Sequence, residues 1–239
     1  MKIIIKIGTA AIFDSEKNRI KEDILKKLAK DISVLVKGKN EVIIVTSGAV
    51  GCGRKIIHGN GEIGLKQAQA SVGQIKLMEK YSSIFSIYKL HVAQFLLNSK
   101  DLNEKSRIEN LKEAYKNLKG KAIPVVNEND VTSIEELKVG DNDILASKLL
   151  FNTEFDILII LTEIGALIKN HVQISKSNLF HVKDYDRMNL PSVGFGGLKS
   201  KLDCAKFIIS RKKRCIIAKA GDSLMDILNG RAVATEFID

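Results

Sequence analysis

Short runs of β-branched and other apolar residues punctuate the chain: Ile3-Ile4-Ile5, Val42-Ile43-Ile44-Val45, Ala122-Ile123-Pro124-Val125-Val126, Ile157-Leu158-Ile159-Ile160-Leu161 and Cys215-Ile216-Ile217-Ala218. Continuous apolar runs of this length read as strands buried on both faces. Between them the period changes. Residues 20–37, 64–80, 104–119, 141–151 and 198–212 repeat apolar side chains every three or four positions; Ile24, Leu25, Leu28, Ile32 and Leu35 fall on one helix face. The alternation predicts an α/β fold, a mainly parallel sheet with helices on both faces. No internal repeat and no clear linker divides it.

Ligands of open α/β sheets collect at the carboxyl ends of the strands, so the text after each strand is informative. Lys6-Ile7-Gly8-Thr9 follows the first and Thr46-Ser47-Gly48-Ala49-Val50-Gly51-Cys52-Gly53 the second. The third leads into 127-NENDVTSIEELKVGDND-143, and the fourth into Thr162-Glu163. A lysine inside an apolar strand is costly without an anionic partner. Lys6 therefore either snorkels to water or meets a phosphate, with Gly8 allowing close backbone approach. Ser47-Gly48-Ala49 is either a tight strand-to-helix turn or an anion site made of helix N-terminal amides. Gly194-Phe195-Gly196-Gly197-Leu198-Lys199-Ser200-Lys201 opens another helix with glycines and lysines. It is an ordinary loop before a basic helix, or a polyphosphate cradle. Lysines from distant segments and glycine-rich helix starts together favour phosphoryl transfer, which needs positioning and charge neutralisation more than covalent help.

The acidic bracket could hold a lysine, take up Mg²⁺ with a nucleotide, or bind a substrate ammonium group. A solvated turn suits Glu135 and Glu136; Asp130 and Asp143 abut buried elements. The spacing is not that of an EF-hand. His58, His91, His171 and His181 form no ligand pair, no Ser-His-Asp order stands out, and no metal site is assigned to the protein itself.

Composition narrows the function classes. The 239 residues suit one large domain and carry 45% hydrophobic residues. The net charge of +10 invites a nucleic-acid reading, but the lysines are dispersed and aromatics are only 5%. A basic surface that attracts anionic ligands is the preferred reading, and nucleic acid is not the expected partner. Cys52, Cys204 and Cys215 lack metal or disulfide spacing, as expected of reduced thiols in the cytoplasm. No apolar run approaches a membrane span, and the N-terminus does not read as a signal peptide.

Taken together, 6-KIGT-9, 44-IVTSGAVGCG-53, 66-KQAQASVGQ-74, 124-PVVNEND-130, 138-KVGDND-143, 158-LIILTE-163 and 196-GGLKSKL-202 resemble the glutamate 5-kinases of the amino acid kinase family. The matches run over nearly the whole chain in family order. TSGA, NEND and GDND at these intervals are specific; KIGT or GGLKSK alone would be weak. The resemblance implies a three-layer αβα sandwich with a mainly parallel central sheet. It also implies transfer of the γ-phosphate of ATP, with Mg²⁺, to the side-chain carboxylate of L-glutamate, the first step of proline biosynthesis. Glutamyl phosphate reductase would act downstream, and a homo-oligomer is expected.

By the same resemblance, Lys6 and Lys201 are the lysines flanking the transferring group and Asp143 the aspartate that organises both. Ser47, Asp130 and Asn142 match glutamate-binding positions, with Gly48 and Ala49 offering backbone near its carboxylate. Lys6, Gly8, Thr162, Glu163, Phe195, Gly196, Gly197, Leu198, Lys199, Ser200 and Lys201 match the nucleotide side. Residues 1–239 are expected to form one kinase domain, with an acceptor part over 1–150, a nucleotide part over 151–239 and no PUA domain. Relatives usually continue LLTD with DGLY, where this chain has Thr162-Glu163-Ile164-Gly165-Ala166-Leu167-Ile168, and Phe195 interrupts the usual GTGG. Those departures put the adenine contacts in question. Competing readings are another kinase of the fold, acting on acetylglutamate, aspartate, uridylate or isopentenyl phosphate, and a non-catalytic sensor or RNA-binding module.

Overall fold

The computed structural model describes residues 1–133, 142–165, 168–169, 172–173, 179–181 and 196–238. Glu135, Glu136, Asp141, His171 and Phe195 lie outside the described residues, as do the side chains of Leu198 and Lys199.

The predicted strands are β1 (Lys2–Ile7), β4 (Glu41–Thr46), β6 (Ile123–Glu128), β7 (Ile157–Thr162) and β11 (Arg214–Lys219). They join β5 (Val92–Leu97), β10 (Leu179–His181) and β12 (Ala234–Ile238) in one eight-stranded sheet, ordered β10-β12-β11-β7-β1-β4-β6-β5. Every pairing is parallel except β11 with β12. Short hairpins β2–β3 (Phe13–Asp14, Arg19–Ile20) and β8–β9 (Ile168–Lys169, Val172–Gln173) lie apart from it.

The predicted helices are α2 (Glu22–Lys37), α4 (Ile63–Ile87), α5 (Lys105–Leu118), α6 (Asn142–Asn152) and α7 (Gly196–Ile209), with short α1 (Thr9–Ile12), α3 (Ala49–Gly53) and α8 (Leu224–Leu228) between elements. Two expected bounds are corrected. Helix α4 runs past residue 80 because buried Tyr81, Ile84 and Phe85 continue its apolar face. Helix α7 stops at Ile209, short of residue 212, where a turn puts Lys212 at φ 59°.

The period of two along each strand divides the core. Ile3, Ile5 and Ile7 pack with Leu25, Ile32, Leu77 and Phe85 of α2 and α4. Ile4 packs with Leu145, Leu149, Leu202 and Ala205 of α6 and α7 on the opposite face. Sheet and two helical layers thus form the three-layer sandwich. At β1 the strand order reverses, toward β4 and β6 on one side and β7 and β11 on the other. The carboxyl end of β1 is therefore the switch point where such sheets bind ligands.

Candidate active site

Lys6 follows Ile4 on the α6/α7 face, one pleat nearer the carboxyl end of β1. Its central strand pairs it with Val45 and Ile160, so its ammonium has no nearby edge to escape to. Asp143, in the first turn of α6, supplies the anionic partner: Lys6 Nζ lies 2.6 Å from Oδ1. Lys201, in α7, reaches the other carboxylate oxygen, with Nζ 3.0 Å from Oδ2. The Asp143 side chain is 0% exposed, that of Lys6 4% and that of Lys201 19%. Removing such charges from water is costly, and opposite charges with two-sided contacts offset the cost. The N-terminal dipole of α6 also favours the carboxylate. The three groups sum to one positive charge, which suits an anion arriving between the ammonium groups.

Asn142, the preceding residue, ties the ends of β4 and β6 together. Its Nδ2 faces the carbonyl of Thr46 at 2.6 Å, Ser47 Oγ at 3.0 Å and Asn127 Oδ1 at 2.9 Å. Asn127 in turn donates from Nδ2 to Gln74 Oε1 at 2.8 Å, and Tyr81 donates to Thr46 Oγ1 at 2.9 Å. Asn127 and Gln74 were not among the expected site residues, although both sit in quoted motifs. Their role depends on which β6 and α4 side chains meet across the sheet. The buried Asn142 Oδ1, by contrast, has no hydrogen-bond partner among the described residues. Such an atom is expensive unless a ligand supplies a donor.

Over the carboxyl ends of β1, β4 and β6 lies a cavity of about 430 Å³. Ser47, Gly48, Ala49, Asp130 and Asn142, the residues expected on the glutamate side, line it together with Thr9, Phe13, Arg54 and Lys66. The turn at its base depends on glycine: Gly48 has φ 105°, a conformation that other residues rarely adopt. The turn is held from behind by contact between backbones. A Cβ on Gly53 would lie 1.8 Å from the Gln69 carbonyl, and one on Gly73 1.8 Å from the Ala49 carbonyl. Helix α3 thus lies directly on α4. Burial, helped by the neighbouring charge of Glu128, pushes the Asp130 carboxyl up to about 6. A bound cation would be its natural complement.

On the far side of Lys6, β7 ends at Thr162. The Thr162 hydroxyl accepts from the Gly165 amide at 2.8 Å, closing a tight turn with Gly165 at φ 90°. Glu163 Oε1 meets Lys21 Nζ at 2.7 Å, and Lys21 also donates to the Ala10 carbonyl at 2.8 Å. Both expected nucleotide-side residues therefore stand at the sheet's carboxyl edge, but with contacts to their own chain. Gly8, between Lys6 and α1, has extended backbone at φ −79°, ψ 163°. The backbone of Gly196 and Gly197 opens α7, with Ser200 and Lys201 one turn on.

A larger hollow of about 850 Å³ lies beside the β2–β3 hairpin, lined by Arg19, Lys55 and Lys76 among others. Lys6, Asp143 and Lys201 line neither hollow, but the smaller one is lined by Asn142, the residue before Asp143, and by Ser47 at the end of β4, which sets it beside the lysine cluster. No group of three or more His, Cys, Asp or Glu side chains suited to a metal ion occurs among the described residues. No helix among them is long and apolar enough to cross a membrane. Cys52, Cys204 and Cys215 are all buried, and burial pushes the Cys52 thiol up to about 11.

The chain is similar to several known proteins. Glutamate 5-kinase of Dictyoglomus turgidum is 35% identical over 229 residues, covering 92% of this chain and 62% of the relative. The enzyme of the same name from Thermoanaerobacter sp. is 34% identical over 253 residues, covering 100% and 68%. That from Aquifex aeolicus is 36% identical over 246, covering 99% and 68%. The chain therefore spans about three fifths to two thirds of the length of these relatives. Among solved structures, UMP kinase from Ureaplasma parvum superposes with a TM-score of 0.67 at 14% identity, covering 100% of both chains. Giardia carbamate kinase gives 0.66 at 15%, covering 100% of this chain and 98% of that one. At those identities the structures speak for the fold alone. Residues 1–219 match the model of the amino acid kinase family, and this chain belongs to that family.

Proposed function

We propose that the chain phosphorylates the side-chain carboxylate of L-glutamate with ATP, giving L-glutamyl 5-phosphate and ADP, as the first step of proline biosynthesis. The observation that carries this reading is the Lys6–Asp143–Lys201 cluster beside a cavity lined by Asp130 and Asn142. The names of the sequence relatives support it.

In the reaction one oxygen of the acceptor carboxylate forms a bond to the γ-phosphorus while the bond to the bridging oxygen of ADP breaks. The carboxylate is already ionised at pH 7, so no general base is required. The barrier is repulsion between anionic reactants. Lys6 and Lys201 lower it by placing ammonium groups on the transferring oxygens, and Asp143 holds both in position. Asp130 and Asn142 Oδ1 receive the acceptor's ammonium group, and the amides of Gly48 and Ala49 face a carboxylate. Gly8, the residues opening α7, Thr162 and Glu163 form the nucleotide side. Among the described residues the protein does not offer a cage for Mg²⁺, because Asp143 is committed to lysines. The ion would come on the phosphates of ATP, where it would neutralise charge.

This reading divides one kinase domain into an acceptor part over residues 1–150 and a nucleotide part over 151–239. It places the chain in the cytoplasm, associating with copies of itself and handing its product to glutamyl phosphate reductase. ATP consumption by the purified chain across L-glutamate, N-acetylglutamate, aspartate, UMP and isopentenyl phosphate tests it. Glutamate is expected to support turnover and the others little; preference for any other acceptor overturns the assignment.

A further inference from the structure

We infer that Arg54 and Lys66 read the α-carboxylate of the acceptor, making the site selective for an α-amino dicarboxylate over a monocarboxylate with the same reacting group. The inference rests on the function proposed above and extends it to residues with no assigned role.

A glutamate whose side-chain carboxylate points to Lys6 and Lys201 leaves two charged groups at its other end. Asp130 and Asn142 Oδ1 are acceptors only, so they suit the ammonium and not the carboxylate. The amides of Gly48 and Ala49 can donate to that carboxylate but do not neutralise it, and a cation facing it offsets the cost of burying the charge. Among the described residues, the cations lining this cavity are Arg54 and Lys66. Both are carried by a stiff support. Arg54 directly follows Gly53, whose backbone is pressed against the Gln69 carbonyl. Lys66 lies in the first turns of α4, and its neighbour Gln67 donates from Nε2 to the Val131 carbonyl at 3.0 Å. That bond links the turn of α4 that carries Lys66 to the segment leaving Asp130, the acidic end of the cavity. Arg54 has no acidic partner among the described residues, and its planar guanidinium can meet a carboxylate with two parallel bonds. The lining thus offers Asp130 as an anion and Arg54 and Lys66 as cations, and a zwitterionic α-amino acid needs one anion and at least one cation.

The test measures steady-state kcat and KM for L-glutamate in the wild-type chain and in Arg54→Gln, Lys66→Met and Lys66→Arg. L-isoglutamine, the α-amide, serves as the probe lacking the charge. Charge-assisted bonds of this kind correspond to about 10- to 100-fold in affinity each. The glutamate KM is expected to rise by that factor in Arg54→Gln and Lys66→Met, with the loss in KM and not kcat, and Lys66→Arg should recover most of it. The preference for glutamate over L-isoglutamine should collapse in parallel. An unchanged glutamate KM, or a preference that survives both neutral substitutions, overturns the inference while leaving the proposed function standing. Wild-type protein that consumes ATP with no glutamate dependence instead overturns the function, and the inference with it.

Discussion

Asp143 binds Lys6 through one carboxylate oxygen and Lys201 through the other, at 2.6 and 3.0 Å. The two lysines come from β1 and α7, nearly two hundred residues apart, and meet only because the parallel sheet brings both helices of one layer over the end of β1. They differ in burial, 4% against 19% exposed, and this difference separates their contributions to stability and turnover.

Asp143→Asn removes the carboxylate charge that lies 2.6 Å from the buried Lys6 ammonium. Breaking a buried pair in this way costs on the order of 3–5 kcal/mol. Denaturant unfolding should show that loss together with a fall in turnover of more than about 100-fold. Unchanged stability would mean that water or another group compensates Lys6.

Lys201→Ala should behave differently. Its side chain is partly solvated and Asp143 keeps its contact with Lys6, so stability should fall by less than in Asp143→Asn. Turnover should still fall about 100-fold or more while glutamate binding stays near wild type, because the ammonium acts on the transferring group. Calorimetric titration with glutamate, paired with ADP release, separates the two effects.

Gly73→Ala should loosen the acceptor site from behind. The added methyl would meet the Ala49 carbonyl at 1.8 Å, forcing α3 off α4. Overpacking of this kind costs about 1–3 kcal/mol, and displacement of Ser47, Gly48 and Ala49 should raise the glutamate KM. Gly64→Ala is the control: it lies in the same helix, with nothing within 4 Å of the new Cβ. It should be neutral or stabilising by up to about 1 kcal/mol.

Asp130 should impose a pH dependence on acceptor binding. Its folded value of about 6, set by burial and then by Glu128, lies above the ordinary carboxylate range. As pH falls through 6 the carboxylate takes a proton and loses its attraction for an ammonium, so the glutamate KM should rise. The sign for stability is opposite. Between about pH 4 and 6 the folded chain holds more protons at this site than the unfolded one, so stability falls as pH rises across that window. Asp130→Asn should remove both slopes. A glutamate KM that stays flat from pH 5 to 7.5 in the wild type would show that Asp130 does not hold the ammonium.

Much of the layered fold was legible in the sequence because five central strands are continuous apolar runs, and helices between them keep one apolar face. The edges were not. In β5, Gln94 and alternating exposure blur the run at the sheet margin, and β12 is a five-residue strand whose Glu236 is paired with Arg214. At the site, the placement of Lys6 in an apolar strand could be read as a demand for an anion. That Asp143 answers it depends on α6 crossing the end of β1, which motif resemblance implied but spacing alone did not. Asn127, Gln74, Arg54 and Lys66 escaped because each faces the cavity or its support only through helix and strand orientation. The contact of α3 with α4 was hidden for the same reason: Gly53 and Gly73 look like ordinary small residues until their carbonyl neighbours are known.

The most direct test of the central claim is to trap the product with hydroxylamine while ADP is counted. Hydroxylamine converts an acyl phosphate to a hydroxamate, and the position of the hydroxamate identifies the carboxylate that was phosphorylated. The wild-type chain with ATP, Mg²⁺ and L-glutamate should yield the side-chain hydroxamate in step with ADP, and Lys201→Ala should yield almost none. ADP release without hydroxamate, hydroxamate at the α-carboxylate, or undiminished product from Lys201→Ala would contradict the assignment.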